Sequence, residues 1–275
     1  MRAVLGMDAA WTAGHPSGVA LLDEDPSGWR CVALAPSYHQ FVAMARGREV
    51  DWSAPIAGSP PDPAVLLVAA EMLLGHGSLA VIAADIPLAT VPIEGRRAAD
   101  QYISMAFGAR GCGAHSPGTD RPGKVGTTIR DGFLGAGFPL TVASTPVGEA
   151  RRLLEVYPHP ALLSLTGAGY RLTYKVARSL SYWPGTALSV RIGGLLGTLR
   201  SILLDLKSEV RGIELGLPEG PAVQNLGALK RYEDAIDALV CAWVGVRYLM
   251  RMAQPHGDDT AAIWVPSSAP LPGAD

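Results

Sequence analysis

Several carboxylates in this chain stand next to apolar residues, where an acid is costly unless it has a partner. Asp8 and Asp85 each end an apolar run, and Asp237 is followed directly by another apolar stretch. A carboxylate near low-dielectric surroundings needs a cation or hydrogen-bond donors. Asp234 lies three residues before Asp237, so the two share one face of a predicted helix. We therefore expect these carboxylates to point at a functional site.

Carboxylates are the ligands that hard divalent cations prefer. Mg²⁺ and Mn²⁺ favour oxygen ligands and retain part of their water shell. Two such ions held ~3.5–4 Å apart activate a water and stabilise the leaving oxygen in phosphodiester hydrolysis. Carboxylates from two strand ends and one helix form a suitable frame for this chemistry. The pattern favours Mg²⁺ or Mn²⁺ as the cofactor and a nuclease or other phosphodiesterase as the activity.

Each carboxylate also has a purely structural interpretation. Asp85 precedes Ile86-Pro87 and would serve as a turn cap. Asp234 would serve as the N-cap of its helix, and Asp8 would cap the loop that follows it. Each position alone is a weak signal, and the case for a site depends on the three topological positions together.

Two further polar segments are candidates for the same chemistry. In one interpretation Glu155 is another catalytic or metal-binding carboxylate and His159 moves a proton near neutral pH. In the other, Glu155 pairs with Arg151 or Arg152, and His159 begins a helix. Lys175 either contacts a phosphate or the carboxylates, or lies on the solvated surface as most lysines do.

A basic, glycine-rich segment favours contact with nucleic acid. Between positions 96 and 130 there are six Arg or Lys residues and two acids, and the segment contains several glycines. Such a segment can follow a nucleic-acid backbone, and an aromatic ring can stack on a base. The alternatives are a solvated loop with paired arginines and a buried tryptophan. The candidate contacts are Trp11, Arg96, Arg97, Arg121 and Lys124.

The elements that must position these residues follow from the apolar patterns. Ala3–Asp8, Val19–Leu22 and Trp29–Leu34 are predicted strands with short connections, which favours an antiparallel meander. Leu79–Ala84 and Arg152–Tyr157 are predicted strands that follow helical segments, which favours parallel pairing. The predicted helices are Asp62–Leu74, Arg96–Phe107, Ser189–Val210 and Lys230–Met252, and Ala261–Val265 is a candidate short last strand. This order predicts an α/β fold with a mixed five-stranded sheet and helices on both faces.

Composition limits the class of protein. The chain has 275 residues, of which 48% are hydrophobic and 17% charged, so it can bury a sizeable core. We expect one domain over 1–265 and a flexible tail over 266–275. The net charge of −2 weighs mildly against tight binding of nucleic acid by the whole surface. Three widely spaced cysteines favour a reducing compartment, and no apolar run is long enough to span a bilayer. The expectation is a cytoplasmic protein that does not enter membranes.

The motifs together resemble the domain-of-unknown-function family four-two-nine, whose members are described as predicted ribonuclease-H-like nucleases. The resemblance extends from residue 3 to about Pro266. The pattern Asp-x-x-Asp-Ala at 234–238 is similar to the last catalytic helix of RuvC-type Holliday-junction resolvases. The motifs that carry the resemblance are 6–11, 17–20, Asp85-Ile86-Pro87, Glu155 to His159, Tyr174-Lys175, and 234–238 with Ala242-Trp243.

The resemblance implies a ribonuclease-H-like fold and, by analogy, a two-metal phosphodiesterase. It implies that Asp8 bridges the metals, that Asp85 is the second strand-end ligand, and that Asp237 and Asp234 complete the set. The second carboxylate in many such nucleases is Glu, and the shorter arm of Asp85 would weaken metal binding. Fold does not fix function, so the resemblance implies the fold more strongly than the activity.

Two other functional classes stay open on the sequence. A non-catalytic binding or scaffold protein on the same fold fits the near-neutral charge. The apolar stripe of Ser189–Val210 would then bury against a second copy in a homodimer, although core packing explains the stripe as well. An actin-like ATPase or kinase shares the first-strand Asp but needs glycine-rich phosphate loops. Ala9-Ala10-Trp11 and Ile86-Pro87-Leu88 follow the two strand ends instead, which disfavours this class.

Overall fold

Seven strands form one mixed sheet in the computed structural model, which describes residues 1–12 and 14–270. The spatial order is β3-β2-β1-β4-β5-β7-β6. The pairs β3/β2, β2/β1 and β7/β6 are antiparallel, whereas β1/β4, β4/β5 and β5/β7 are parallel. The strands are β1 Arg2–Asp8, β2 Gly18–Asp25, β3 Gly28–Ala35, β4 Ser78–Asp85, β5 Arg152–Val156, β6 Ala253–Gly257 and β7 Ala262–Pro266.

Helices cover both faces of this sheet, as the sequence predicts. The helices are α1 Tyr38–Ala45, α2 Pro63–Leu74, α3 Ala98–Phe107, α4 Lys124–Gly135, α5 Pro158–Thr166, α6 Ser179–Tyr182, α7 Leu188–Glu209 and α8 Gly227–Leu249. One core lies between the sheet and α5, α7 and α8. A second core lies on the other face, beneath α1, α2 and α4. The α/β class and the mixed sheet are therefore confirmed.

The predicted strand number of five is wrong, because β7 and β6 extend the sheet beyond β5. The short run Ala261–Val265 was a candidate strand, and it forms β7 with bounds shifted by one residue. The strand β6 has the sequence Ala-Gln-Pro-His-Gly, which carries no apolar alternation. Pro255 is tolerated there because β6 is an edge strand of the sheet.

The alternation of side chains along β1 decides where Asp8 points. Leu5 and Met7 belong to the core under α1 and α2, whereas Val4 belongs to the core under α8. Side chains of a strand alternate between faces, so Gly6 and Asp8 lie on the same face as Val4. Asp8 therefore faces the layer that contains α8.

Two glycines let α8 lie directly on the ends of β1 and β2. A Cβ added at Gly6 would lie 2.2 Å from the carbonyl oxygen of Ala238, and one at Gly18 would lie 2.1 Å from that of Asp234. Both distances are far below van der Waals contact, so only glycine permits this approach. The approach brings the first half of α8, with its acidic residues, against the end of β1.

Other sequence predictions meet the structure as follows. Asp62 caps α2 by accepting a hydrogen bond from Val65 N, as predicted. Pro266, the first residue of the predicted tail, is the last residue of β7, and residues 271–275 lie outside the described chain.

Of the two interpretations of the α7 stripe, core packing is observed. The stripe residues Ile192, Leu195, Leu196, Leu199, Ile202, Leu203 and Leu206 are all buried in the core under α8.

The described helices include none that is long and apolar enough to cross a membrane. The helix α8 is almost entirely buried, but it carries Glu233, Asp234 and Asp237 in its first half.

Candidate functional site

Asp8 and Asp85 lie side by side at the ends of β1 and β4. The two residues are register partners in the parallel pair, so their side chains lie on the same face of the sheet, the α8 face. Both are partly buried. No hydrogen bond reaches either carboxylate from residues 1–12 or 14–270. The strand ends therefore present two adjacent acids that the described protein groups leave uncompensated.

The environment of Asp85 disfavours its charged form. Burial raises the pKa of Asp85 well above its usual range, and the negative charge of Asp8 raises it further. The ammonium of Lys175 opposes these effects without cancelling them. A nearby cation would favour the ionised form of this carboxyl group.

Asp237, in contrast, has both of its oxygens engaged. Tyr174 Oη donates to Asp237 Oδ1 at 2.7 Å, and Lys175 Nζ donates to Asp237 Oδ2. Asp237 is fully buried, and burial raises its pKa to about 6, against the opposing effect of Lys175. Of the two interpretations of Lys175, the structure favours contact with the carboxylates. Asp237 has little capacity left for a cation.

Asp234 is engaged on one side only. Lys230 Nζ donates to Asp234 Oδ1, whereas Asp234 Oδ2 is buried and has no partner among the described residues. Lys230 also donates to Glu233 Oε1 at 3.0 Å. Because α8 begins at Gly227, Asp234 lies inside the helix and does not serve as its N-cap.

A cavity of about 680 Å³ opens onto these groups. Asp8, Asp85 and Asp234 line it together with Lys230 and Arg121, whereas Asp237 is not among the lining residues. Volumes of this size are typical of small-molecule and cofactor sites. The structure therefore brings three of the four predicted metal ligands to one cavity, together with the predicted Arg121, and adds Lys230.

Trp11 and Arg121 form one wall of this cavity. The Arg121 guanidinium lies 5.8 Å from the centroid of the Trp11 ring, within the range of a cation–π contact. Trp11 is partly buried and Arg121 is exposed. A planar ring and a guanidinium on one wall suit a ligand that has both an aromatic face and a negative charge.

Glu155 is held by Arg97 instead of Arg151 or Arg152. Arg97 Nη1 donates to Glu155 Oε2 at 2.6 Å, and Arg97 Nη2 donates to Glu155 Oε1 at 2.7 Å. The backbone N–H of Leu88 also donates to Oε2, at 2.8 Å. Burial raises the pKa of Glu155, and the charge of Arg97 opposes this shift. Glu155 therefore fixes the turn that follows Asp85 and has no free oxygen for a cation.

The remaining basic candidates divide between two places. Arg96 donates to Ser104 Oγ at 2.6 Å, to Ser116 Oγ at 3.0 Å and to the carbonyl of Asp100 at 3.0 Å, so it ties local segments together. Lys124 begins α4 and lines a separate cavity of about 440 Å³. Of the predicted nucleic-acid contacts, only Trp11 and Arg121 line the cavity that contains Asp8.

His159 lies in the first turn of α5, close to the helix start that one of the two sequence interpretations expects, and it is buried between two tyrosine rings. The Tyr157 and Tyr174 ring centroids lie 5.3 and 5.5 Å from that of His159. Its Nδ1 has no hydrogen-bond partner within the described chain. Burial lowers the pKa of His159 well below its usual range, and the charge of Lys175 lowers it further.

The replacement His159→Phe is expected to weaken the acid sensitivity of folding. The folded protein keeps His159 neutral, whereas the unfolded chain binds a proton there below about pH 6.5. Stability therefore falls as the pH decreases through this range, by up to about 1.4 kcal/mol per pH unit. Urea unfolding between about pH 7.5 and pH 5 should show a shallower fall for His159→Phe than for the wild type. The exposed His39→Phe is the control, and identical slopes in all three proteins would contradict the expectation.

Lys230 is a cavity residue that the sequence patterns do not single out, and His15 and His115 are two others. Its signal is present in the chain, because Lys230 stands three and four residues before Glu233 and Asp234. Side chains at these spacings are neighbours on a helix surface. The apolar pattern marks Lys230 only as the first residue of the predicted helix Lys230–Met252.

The second part of the chain is similar to a known protein family. A family model described as "Protein of unknown function (DUF429)" matches residues 140–259. The predicted family is therefore confirmed over this segment, which contains β5, α8 and the residues Tyr174, Lys175, Asp234 and Asp237. No curated protein and no solved structure matches the chain.

Proposed function

Residues 140–259 match a family of unknown function, and we propose that the protein is a divalent-metal-dependent phosphodiesterase that acts on nucleic acid. We also propose that the fold is of the ribonuclease-H-like type. The antiparallel meander β3-β2-β1, followed by the parallel strands β4 and β5, supports this assignment. The position of α8 across the end of β1 supports it as well.

The observation that carries the proposed activity is the pair formed by Asp8 and Asp85. Two adjacent, partly buried carboxylates without hydrogen-bond donors are costly, because like charges repel and burial removes the water that would solvate them. A divalent cation between them would remove this cost. Mg²⁺ is commonly bound by one or two carboxylates, several waters and the phosphates of the substrate.

The donor set fits a cation whose coordination shell is completed by the substrate. Within the described residues, no three His, Cys, Asp or Glu side chains are grouped closely enough to hold an ion by themselves. Asp8 and Asp85 would hold the cation, and Asp234 Oδ2 is the remaining carboxylate oxygen at the cavity without a partner. When bound, such a cation activates a water and stabilises the charge on the leaving oxygen.

The other cavity residues have roles in binding the substrate. Arg121 and Lys230 supply positive charge at the cavity, which suits a phosphate group. Trp11 supplies a ring on which a base can stack. The Glu155–Arg97 pair holds the turn after Asp85 and thereby fixes the direction of that carboxylate.

The test is cleavage of single-stranded and double-stranded DNA and RNA in the presence of Mn²⁺. We expect Asp8→Asn to lower the rate by at least about 100-fold, because the variant loses one of the two charged cation ligands. Asp131→Asn removes an exposed carboxylate on α4 and should cleave at the wild-type rate. Absence of cleavage on all four substrates, with no binding of Mn²⁺ by calorimetry, would overturn the proposal.

A further inference from the structure

The carboxylates around the cavity are not equally compensated. On α8, Asp237 is paired with Lys175, and Asp234 is paired with Lys230. At the strand ends, Asp8 and Asp85 have no such partner among the described residues. A site for two divalent cations would need free oxygens on α8 as well as on the strands, yet two ammonium groups already bind Asp237 Oδ2 and Asp234 Oδ1 there, which leaves Asp234 Oδ2 alone.

The two lysines differ in their access to the cavity. The Lys175 side chain is 19% exposed and contacts Asp237 and, at 3.4 Å, Glu233. The Lys230 side chain is 44% exposed and lines the cavity beside Asp8 and Asp85. Lys230 is therefore the ammonium that a ligand in the cavity can reach.

The hydrogen-bonding capacity of Lys230 leaves room for a ligand. An ammonium group has three N–H donors. Two of them are accounted for by Glu233 Oε1 and Asp234 Oδ1. The third donor is available to a phosphate oxygen, for which lysine is a compact, mobile point charge.

We infer that this site holds one divalent cation, between Asp8 and Asp85, and that the Lys230 ammonium occupies the place of a second cation and binds the substrate phosphate. The inference rests on the proposed function and defines the metal content of its site. Asp234 then holds Lys230 in position through Oδ1, and it can bind a cation only when the lysine is removed.

The experiment is a calorimetric titration of the full chain with Mn²⁺ in the absence of nucleic acid, and the bound ions are counted by equilibrium dialysis against the same Mn²⁺ solution. The wild type should bind one ion. Lys230→Gln should bind two, because it frees Asp234 Oδ1 next to the unpartnered Oδ2. Lys230→Arg keeps the positive charge and should bind one. Lys207→Gln, which removes an exposed lysine on α7, should also bind one.

The outcomes separate this inference from the proposed function. Two ions in the wild type, or one ion in a folded Lys230→Gln, would overturn the inference and leave the proposed activity standing. No ion in the wild type would overturn both. Asp234→Asn gives an independent reading if Lys230→Gln does not fold: one ion is expected, and loss of the ion would show that Asp234 is a ligand instead of an anchor.

Discussion

Replacing Arg97 by methionine is expected to lower the free energy of unfolding by about 3–5 kcal/mol. The guanidinium bonds both oxygens of Glu155 and both oxygens of Asp100. The three side chains are 7%, 4% and 2% exposed, so water cannot replace the lost partner. Removal of one member of a buried ion pair leaves the others charged and uncompensated. Chemical unfolding in urea at neutral pH measures the effect.

The matched control is Arg2→Met. Arg2 also forms a two-pronged pair with a glutamate, Glu24, at 2.8 Å for both bonds. These side chains are 45% and 33% exposed, so the expected loss is below about 1 kcal/mol. The loss in Arg97→Met should also shrink as the pH falls, because Glu155, whose pKa burial already raises, then binds a proton. Equal losses in the two variants would contradict this account of the buried network.

The second large effect is expected from Asp85→Asn. The stability of this variant relative to the wild type should have opposite signs with and without metal. Without metal, and at a pH above the pKa of Asp85, the variant should be more stable than the wild type by about 1–3 kcal/mol, because two like charges ~5 Å apart repel at an effective dielectric constant near 20. With Mn²⁺, the wild type should gain thermal stability and the variant should not. Thermal unfolding with EDTA and with Mn²⁺ measures both effects.

The pH dependence of this difference gives a further check. Burial and the charge of Asp8 raise the pKa of Asp85. Above that pKa the charged Asp85 destabilises the wild type, and the wild type regains stability as the pH falls through the pKa. The advantage of Asp85→Asn without metal should therefore shrink in acid. Asp23→Asn is the control, because Asp23 is buried but paired with Arg30 at 2.7 Å, and its removal should destabilise. A destabilised Asp85→Asn in EDTA would show that the strand-end carboxylates have partners after all.

The parts of the structure that depend on local periodicity were predictable from the sequence. The meander, the parallel strand that ends at Asp85, the cap at Asp62 and the long helices α7 and α8 all have clear apolar patterns. The strand-end positions of Asp8 and Asp85 followed from the same patterns. Strand β6 was not predictable, because its stability comes from pairing with β7 and not from its own residues.

The pairings across long distances in the chain were not predictable. Nothing local indicates that Glu155 pairs with Arg97, which stands 58 residues away, since Arg151 and Arg152 are nearer in sequence. The hydrogen bonds that Asp237 accepts from Tyr174 and Lys175 depend likewise on how the segment before α6 packs against α8. A sequence pattern shows which residues could form a site, but the competition among partners is decided by packing.

The close approach of α8 to Gly6 and Gly18 has a consequence for biosynthesis. Asp8 and its neighbours on α8 lie far apart in the chain, and the α8 residues are synthesised long after Asp8. Contacts between such distant segments form late and slow down folding. From the synthesis of β1 until α8 has emerged from the ribosome, the nascent chain therefore lacks this pocket and could not bind a cation there.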